Sequence, residues 1–433
     1  MRLTETLTLA LYSLLARAMQ PLLRRKLARR GRSEPGYLHA VEERFGHYTQ
    51  PPGQGYLWVH AVSLGETRAA AVLLQAVRAQ WPDVPVLLTH GTATGREAGQ
   101  RLLRPGDCQV WQPWDTPQAV AQFLAYFQPR VGVLMETEVW PNLVTGCRRQ
   151  GVPLILANAR LSDKSLRQAR QWAWLSRPAY AGLADVWAQT ESDAQRLRSL
   201  GASVSAVLGN LKFDARPDPL QCANGAALKQ QFKRPVVILA SSREREEAQL
   251  LNSLRKNEQA LHAVHWLIVP RHPQRFDEVA RLMASHGLRV LRRSTMGSAG
   301  FSSEPGDESA LWLGDSVGEM AWYYSLASVA LLGGSFEQLG GQNLIEAAAC
   351  ACPVVMGPHT FNFADAAEMA LQSQAALRAE NLDHAIALAL SWVAHPQDLR
   401  MRSESAQVFA NAHCGAVDRS VQALARFIDQ RSA

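Results

Sequence analysis

Short apolar runs alternate with stretches of helical periodicity from residue 56 onward. Residues 56–63 (YLWVHAVS) and 84–90 (VPVLLTH) are apolar at nearly every position, and a helical pattern follows each of them. Strands without a polar face are typical of parallel sheets that helices cover on both sides. The pattern therefore predicts an α/β protein with doubly wound, Rossmann-like parallel sheets. The first series of predicted strands comprises 56–63, 84–90, 108–114, 131–137, 152–160, 186–190 and 205–210.

A segment rich in proline and aspartate interrupts the alternation at 214–224, which is typical of a linker. We predict two domains, 33–214 and 225–433, the second of which ends in helices. They are expected to face a cleft at the carboxyl ends of their strands, where open sheets of this kind bind ligands. One large sheet is the alternative, and the linker favours two. The predicted strands of the second series are 235–242, 265–273, 287–294, 309–314, 329–335 and 352–357.

The first 32 residues combine an apolar run with a cluster of positive charge. Thr6–Ala16 is uncharged and leucine-rich, and residues 1–32 carry eight basic side chains and one acidic one. The run is short for a bilayer span, which takes about 20 residues, and its leucines recur near helical spacing. We predict that 1–32 anchors the protein to the cytoplasmic face of a membrane. A single span and an interfacial helix both remain open, and a helix packed on the protein surface is the alternative.

The charge of the remaining chain argues against a nucleic-acid partner. Beyond residue 32 there are 37 basic and 37 acidic side chains, so the net charge of +7 belongs to the N-terminal segment. The six cysteines include no CxxC pair, and the twelve histidines include no HExxH motif. The sequence predicts free thiols in a reducing compartment, no protein-bound metal and no cofactor.

The motif HAVSLGETRAA at 60–70 places Glu66 in the first turn of a helix that follows a predicted strand. A carboxylate there is stabilised by the helix dipole, so one interpretation is a simple helix-start acid. The other interpretation is a general base, because the loops after strands carry the chemistry of open α/β sheets.

Two glutamates, Glu136 and Glu138, come at the end of the strand predicted at 131–137. Their spacing of two predicts that both face the same side of an extended segment. A buried carboxylate at this place requires a partner, for which Arg160 and Lys212 are the candidates. A structural ion pair and a functional acid are both consistent with this pattern.

The most specific pattern is LLGGSFEQLGGQNLIEAAA at 331–349, in which a strand ends in a glycine turn and a second glycine pair opens a helix. Free backbone amides at such a turn can bind a nucleotide phosphate, and an acid inside the helix can accept hydrogen bonds from ribose hydroxyls. Three further loops after strands offer hydroxyl, cationic or acidic groups, although each is also consistent with a helix cap. The candidates for nucleotide binding are Gly334, Ser335, Gly341, Gln342, Asn343 and Glu346, with Ser241, Ser242, Arg271, His272 and Glu319 in the further loops.

The motifs follow one another in the order HAVSLGETRA, THGTATG, METEVWPNL, NARLSDKS, GNLKFD, VPRHPQRF, LGDSVGEM and GGSFEQLGGQN. In this order, and over nearly the whole chain, the sequence resembles the Kdo transferases of lipopolysaccharide synthesis. The resemblance implies a metal-independent, inverting glycosyltransferase of the two-Rossmann GT-B type. It further implies transfer of 3-deoxy-D-manno-oct-2-ulosonic acid (Kdo) from CMP-Kdo to a lipid A precursor at the cytoplasmic face of the inner membrane.

The resemblance also implies roles for individual residues. Glu66 corresponds to the catalytic base of the family, and Glu138 to a second functional glutamate. Arg160 and Lys212 correspond to basic positions near the reacting sugar. The positions that correspond to CMP-binding residues are Arg271, Ser335, Asn343 and Glu346.

The chain departs from the family pattern in two segments. Where the family usually reads GGHNPLEPA, residues 340–348 read GGQNLIEAA, so that Gln342 replaces a histidine. Where the family tends to read STHEGEE, residues 241–247 read SSREREE. Two alternatives to Kdo transfer remain: a two-Rossmann transferase or epimerase that acts on another nucleotide sugar, and a catalytically silent, membrane-bound relative.

Overall fold

The structure is a computed structural model that describes residues 3–214, 216–297, 301 and 311–429. The chain divides into two compact units. The first unit combines the chain up to Asp214 with the chain from Cys414 onward. The second unit consists of the chain between these two residues.

A parallel sheet forms the centre of the first unit. Its strands among the described residues are β1 (Leu57–His60), β2 (Val86–His90), β3 (Cys108–Trp111), β4 (Val131–Met135), β5 (Leu154–Ala159), β6 (Asp185–Ala188) and β7 (Val204–Val207). Their order across the sheet is β3-β2-β1-β4-β5-β6-β7, and every neighbouring pair is parallel. The strand order reverses between β1 and β4, and ligands of doubly wound sheets bind beyond the carboxyl ends of the strands at such a point.

Helices cover both faces of this sheet. Successive residues of β1 alternate between the faces, so that Trp58 packs with Phe123 in one core and Leu57 packs with Leu73 in the other. The helices that precede the second unit are α1 (Leu3–Ala18), α2 (Gln20–Arg30), α3 (Leu64–Gln80), α4 (Ala93–Gln100), α5 (Pro117–Phe127), α6 (Pro141–Arg149), α7 (Asp163–Gln171), α8 (Ala173–Ala181) and α9 (Glu191–Ser199).

The second unit is built on a separate parallel sheet, which confirms the prediction of two sheets rather than one. Its described strands are β8 (Val236–Ser242), β9 (His265–Pro270), β10 (Val290–Arg292), β11 (Leu311–Leu313), β12 (Val329–Leu332), β13 (Val354–Met356) and β14 (Ala376–Arg378). Their order is β10-β11-β9-β8-β12-β13-β14. The sequence pattern did not predict β14, because three residues are too few to show an alternation.

The helices of the second unit begin earlier in the chain than predicted, inside the segment 214–224. Asp218 accepts hydrogen bonds from the amides of Leu220 and Gln221 at 2.8 and 3.2 Å. Aspartate as N-cap and Pro219 at the first helical position start a helix, so residues that indicated a linker also begin α10. The described helices are α10 (Pro219–Lys229), α11 (Glu246–Lys256), α12 (Glu258–Ala263), α13 (Phe276–Ser285), α14 (Met320–Leu326), α15 (Leu344–Ala349), α16 (Ala364–Gln372), α17 (Leu382–Ala394) and α18 (Pro396–Ala412).

The last helix, α19 (Ala416–Ile428), belongs to the first unit and packs on α3. Asp214 accepts hydrogen bonds from the amides of Gly415 and Val417 at its start. This differs from the predicted domain 225–433, because the apolar side of α19 is buried in the core beside α3. The buried apolar residues of α19 in this core are Ala416, Val417, Val421, Leu424 and Ile428.

The N-terminal helix α1 lies against α6 and α8. Ser13 is buried, and its hydroxyl lies 2.9 Å from Oδ1 of Asn142 on α6. In the part of the chain that the structure describes, no helix has the length and apolar character that a bilayer crossing requires. Residues 1 and 2 of the predicted anchoring segment lie outside that part. The outer side of α1 exposes the side chains of Leu7, Leu11, Leu14 and Leu15.

Candidate functional site

Glu66 lies in the first turn of α3, directly beyond the carboxyl end of β1. Its carboxylate accepts a hydrogen bond of 2.7 Å from the amide of Val62 and one of 3.1 Å from the hydroxyl of Ser63. Ser63 is the N-cap of α3 and accepts in return from the amide of Glu66 at 3.4 Å. This reciprocal arrangement resembles a capping box, and it fixes the carboxylate at the start of the helix.

The surroundings of Glu66 keep its proton affinity unusually high. Burial, helped by the negative charges of Glu136 and Glu138, raises the pKa of Glu66 to about 7, although the two hydrogen bonds that Glu66 accepts lower it. A carboxyl with a pKa near the working pH can exchange a proton efficiently with a reacting hydroxyl. The predicted helix-start acid and the predicted general base are therefore compatible in one side chain.

Two histidines beneath this loop were not singled out in the sequence. His90 is buried and lies with Nδ1 2.9 Å from the carbonyl oxygen of Ala61, in the loop that leads to Glu66. Burial lowers the pKa of His90 to about 4, so the neutral ring donates this hydrogen bond at pH 7. His60 is also buried, with a pKa lowered to about 3 by burial. Their position at the ends of two adjacent strands is the signal that could have found them.

Glu136 is buried at the end of β4 and pairs with both predicted cations. Its Oε1 lies 2.9 Å from Nζ of Lys212, and its Oε2 lies 3.6 Å from Nε of Arg160. The backbone φ of Glu136 is 60°, in the left-handed region that costs a residue with a side chain roughly 1–2 kcal/mol. The prediction that Glu136 and Glu138 share one side of an extended segment is wrong, because this turn breaks the alternation.

Glu138 has a different partner from Glu136. Its Oε2 accepts a hydrogen bond of 2.8 Å from the indole nitrogen of Trp140, just before α6 begins. Burial raises the pKa of Glu138, and the bond from Trp140 opposes that rise. The end of the first sheet around the β1–β4 reversal thus gathers three carboxylates, of which one is neutralised by two cations.

In the second unit, Glu246 accepts hydrogen bonds from the glycine turn that contains Gly334. The sequence pattern did not single out Glu246. Glu246 is 0 % exposed and accepts hydrogen bonds from the amides of Arg243, Gly334 and Phe336, at 2.9, 2.8 and 3.2 Å. Gly334 was predicted to offer a free amide to a phosphate, and this is corrected: its amide is used by Glu246. The signal that could have found Glu246 is its position in the first turn of α11, in the loop region after β8.

Two predicted phosphate-binding serines use their hydroxyls inside the protein. Ser335 is 0 % exposed; its hydroxyl donates to the carbonyl of Leu332 and accepts from the amide of Gly357. Ser242 donates to Glu247 at 2.8 Å. These hydroxyls stabilise the loops between strands and helices. Because they point into the protein, they do not face the surface where a ligand would bind.

Glu247 explains why Ser242 is held so firmly. Its carboxylate is 0 % exposed and pairs with the guanidinium of Arg275 through contacts of 2.8 and 3.2 Å. Ser241, by contrast, has a φ of 55° at the end of β8 and is half-buried. The side chain of Ser242 is therefore structural, and among this pair Ser241 is the one that reaches the loop surface.

Cationic and amide groups surround the glycine turn. Nε of Arg271 donates to Oε1 of Gln342 at 3.1 Å. The side chains of Gln342 and Arg243 flank Gly334, since a Cβ built on that glycine would lie 3.1 Å from one and 3.6 Å from the other. Burial and the charges of Arg243 and Arg271 lower the pKa of His272. These groups favour an anion beside the turn.

The second glycine pair opens α15. Gly341 has a φ of 73° and donates from its amide to the carbonyl of Gly334 at 2.8 Å, which closes the loop. Asn343 caps the helix by accepting from the amide of Ile345 at 3.1 Å. Glu346 follows in the first turn and is half-buried. In the loop after β11, Glu319 pairs with Arg293 at 2.8 Å, which is a structural role.

Comparison with known proteins identifies the family. A family model described as 3-deoxy-D-manno-octulosonic-acid transferase (kdotransferase) matches residues 39–215. A protein of Bordetella pertussis named 3-deoxy-D-manno-octulosonic acid transferase is 46% identical over 425 residues, which cover 95% of this chain and 98% of that protein.

Solved structures show the same two-sheet fold at low sequence identity. A glycosyltransferase from Rickettsia africae is similar with a TM-score of 0.54 at 12% identity, over 86% of this chain and 99% of that chain. A UDP-GlcNAc 2-epimerase from Neisseria meningitidis is similar with a TM-score of 0.55 at 14% identity, over 86% of this chain and 100% of that chain. At these identities the likeness concerns the fold alone.

Proposed function

The chain belongs to the family of 3-deoxy-D-manno-octulosonic acid transferases, and we propose that it transfers Kdo from CMP-Kdo to a lipid A precursor in lipopolysaccharide synthesis. The observation that carries the proposal is the placement of Glu66. This carboxyl, with its pKa raised to about 7, is fixed at the start of α3 where the strand order of the first sheet reverses.

In the proposed reaction, the carboxylate of Glu66 accepts the proton of an acceptor hydroxyl. The hydroxyl oxygen forms a bond to the anomeric carbon of Kdo while the bond from that carbon to the phosphate oxygen of CMP breaks. CMP leaves with the electron pair, and the configuration at the anomeric carbon inverts. General-base catalysis of this kind contributes about 10²–10⁴-fold to a rate.

The cations beside Glu136 are proposed to bind the sugar acid. Arg160 is the more exposed of the two, and its guanidinium lies 3.6 Å from Glu136, a distance that leaves its other nitrogens for a ligand. A planar guanidinium recognises a carboxylate such as that of Kdo through paired hydrogen bonds. Lys212, at 2.9 Å from Glu136, holds the buried glutamate in place beside it.

The cytidylate is proposed to bind the second unit. Arg271 and Arg243 supply positive charge near the glycine turn, and His272, whose pKa is lowered, adds a hydrogen-bonding ring. Glu346, in the first turn of α15, is proposed to accept hydrogen bonds from ribose hydroxyls. Within the described residues, the amides of Gln342 and Asn343 donate no hydrogen bond, so they replace the amide of Gly334 as phosphate ligands. Side-chain cations in these positions would stabilise the leaving phosphate without a divalent metal.

The N-terminal segment is proposed to hold the enzyme at the cytoplasmic face of the inner membrane. Exposed leucines on α1 and the basic side chains of α2 suit an interfacial helix on an anionic lipid surface. An enzyme held at this surface would reach its lipid acceptor while the acceptor stays in the bilayer.

The test is transfer of labelled Kdo by the full chain in detergent, from CMP-Kdo to lipid A precursor. Glu66→Gln is expected to lower kcat by about 10²–10⁴-fold. Glu97→Gln, a matched change of an exposed glutamate on α4, is expected to leave it unchanged. Wild-type rates in Glu66→Gln contradict the assigned base. Transfer only from a uridine nucleotide sugar supports the other-nucleotide alternative, and no transfer from any donor supports the silent relative.

A further inference from the structure

A groove of about 560 Å³ runs beside α1, between this helix and helices α5 and α6 of the same unit. Its volume lies in the ~300–1,000 Å³ range of small-molecule sites. The apolar side chains along it come from two helices. They are Leu9, Ala10 and Leu14 of α1 and Pro117, Val120 and Ala121 of α5.

Buried polar contacts hold α1 in the position that forms the groove. The hydroxyl of Ser13 lies 2.9 Å from Oδ1 of Asn142, and Asp115 accepts a hydrogen bond from the hydroxyl of Tyr12. Asp115 also accepts from the amides of Asn142 and Leu143 at the start of α6, at 3.0 and 2.8 Å. Because Ser13, Asn142 and Asp115 are buried and mutually bonded, the groove is a built feature of the unit and not a gap beside a loose helix.

The charge at the groove has one sign. Arg17 of α1 and Arg149 of α6 line it, and no aspartate or glutamate is among its described lining residues. Neither arginine forms an ion pair with a residue that the structure describes. An apolar channel bordered by two such guanidiniums is complementary to a molecule with an apolar chain and an anionic head.

The groove is continuous with a face that suits lipid. Leu14 belongs both to the groove and to the outer side of α1, where Leu7, Leu11 and Leu15 are more than half exposed. Large contiguous apolar surfaces of this kind mark sites of interaction, and the neighbouring basic helix α2 favours an anionic bilayer.

We propose that this groove binds one acyl chain of an anionic membrane lipid, with the lipid phosphate between Arg17 and Arg149. The inference deepens the proposed function, on which it rests, by naming the part of the membrane-facing unit that takes up lipid. It assigns α1 a role in lipid binding that a general anchor does not require.

The experiment measures binding of myristoyl lysophosphatidic acid, below its critical micelle concentration, to the full chain by titration calorimetry. Saturable binding near one lipid per chain is expected, with at least tenfold weaker binding of inorganic phosphate and of uncharged monomyristoylglycerol. Ala121→Trp fills the groove and is expected to weaken lipid binding at least tenfold. Ala125→Trp, the same change one turn later on α5 outside the groove, is the matched control.

A second variant protects the test against misfolding. Arg17→Gln with Arg149→Gln leaves the core intact and is expected to weaken lysophosphatidic acid binding about tenfold while monomyristoylglycerol binding stays unchanged. Equal lipid binding by wild type and Ala121→Trp, or an equal loss of binding in both tryptophan variants, contradicts the proposal that the groove binds lipid. Kdo transfer by the wild type is measured in parallel, so that failure of the proposed function appears as absent transfer while failure of the groove appears as unaltered lipid binding.

Discussion

Nζ of Lys212 lies 2.9 Å from Oε1 of Glu136, although the two residues are 76 positions apart in the chain. Lys212 is in the short helical turn after β7, and Glu136 is in the left-handed turn after β4. The ion pair therefore ties the far end of the first unit to the edge of the sheet where Glu66 lies. The negative charge of Glu136 in turn contributes to the raised pKa of Glu66.

Breaking this pair is expected to cost both stability and activity. Glu136→Gln leaves Lys212 half-buried without its charged partner, and should lower the free energy of unfolding by about 1–3 kcal/mol. Glu136→Gln combined with Lys212→Met should recover part of the stability but none of the transfer activity, because Arg160 still lacks the carboxylate that holds it beside the ligand. Urea unfolding and Kdo transfer measure the two effects. Equal stability of wild type and Glu136→Gln would show that the pair contributes nothing.

The activity is expected to depend on pH through Glu66. Because the base must be deprotonated and its pKa is raised to about 7, kcat/KM should fall about tenfold per pH unit below pH 7 and level off above it. Removing the nearby charge with Glu138→Gln should move this break to lower pH. A pH–rate profile that is flat from pH 5.5 to 8.5 (about one and a half units on either side of the expected break) would exclude Glu66 as the base.

The same pKa predicts the sign of a stability effect. A carboxyl whose pKa is higher in the folded than in the unfolded protein stabilises the fold when protonated, and this contribution is lost as the pH rises through 7. Glu66→Gln should therefore be more stable than wild type at pH 8 by about 1–3 kcal/mol and nearly equal to it at pH 4. Thermal unfolding at the two pH values is the measurement, and a variant that is less stable at pH 8 contradicts the raised pKa.

Glu246 is expected to be essential for the donor-binding loop. In Glu246→Gln an NH₂ group replaces one acceptor oxygen, and at least one of the three backbone amides that donate to Glu246 loses its acceptor. We expect a loss of about 2–4 kcal/mol in unfolding free energy and weaker binding of CMP. Glu258→Gln, an exposed glutamate in the first turn of α12, is the control and should change neither quantity appreciably. CMP affinity is measured by calorimetry. An unaltered affinity in Glu246→Gln would show that the loop held by Glu246 does not bind the donor.

Arg245 occupies a backbone conformation that suits glycine. Its φ is 77°, at the position where the family pattern tends to have glycine, and its exposed guanidinium lies 4.0 Å from Glu337. Because an exposed ion pair of this length contributes little, Arg245→Gly should stabilise the protein by about 1 kcal/mol. Arg255→Gly, within α11, should instead destabilise it by about 1 kcal/mol. Thermal unfolding of the two variants distinguishes these outcomes. Destabilisation in both variants would contradict the backbone strain assigned to Arg245.

The sequence predicted most of the architecture, because parallel strands buried on both faces have a pattern that is local. Glu66 could be predicted for the same reason, since its place after a strand and at a helix start is visible in eleven consecutive residues. The structural roles of Ser242 and Ser335 could not be predicted from the sequence. Both lie in loops of the expected type, but their hydroxyls are directed to partners that depend on packing, and no sequence spacing tells which side of a loop a side chain takes.

Long-range contacts account for the remaining differences. Glu246 contacts Gly334 across 88 positions, and the end of α19 returns to α3 after the whole second unit. Glu136 pairs with Lys212 across 76 positions. Each of these relationships is determined by tertiary packing, which a periodic pattern of apolar residues does not record.

Because α19 completes the core beside α3, the first unit lacks part of its interior until the ribosome has passed residue 428. Residues up to 214 therefore emerge with an uncovered apolar surface, which stays uncovered while the second unit is translated. The described strands of the second unit all come before residue 414. Vectorial synthesis then favours an order in which the later half of the gene product matures first, and nascent chains stalled before residue 414 should depend on chaperones to remain unaggregated.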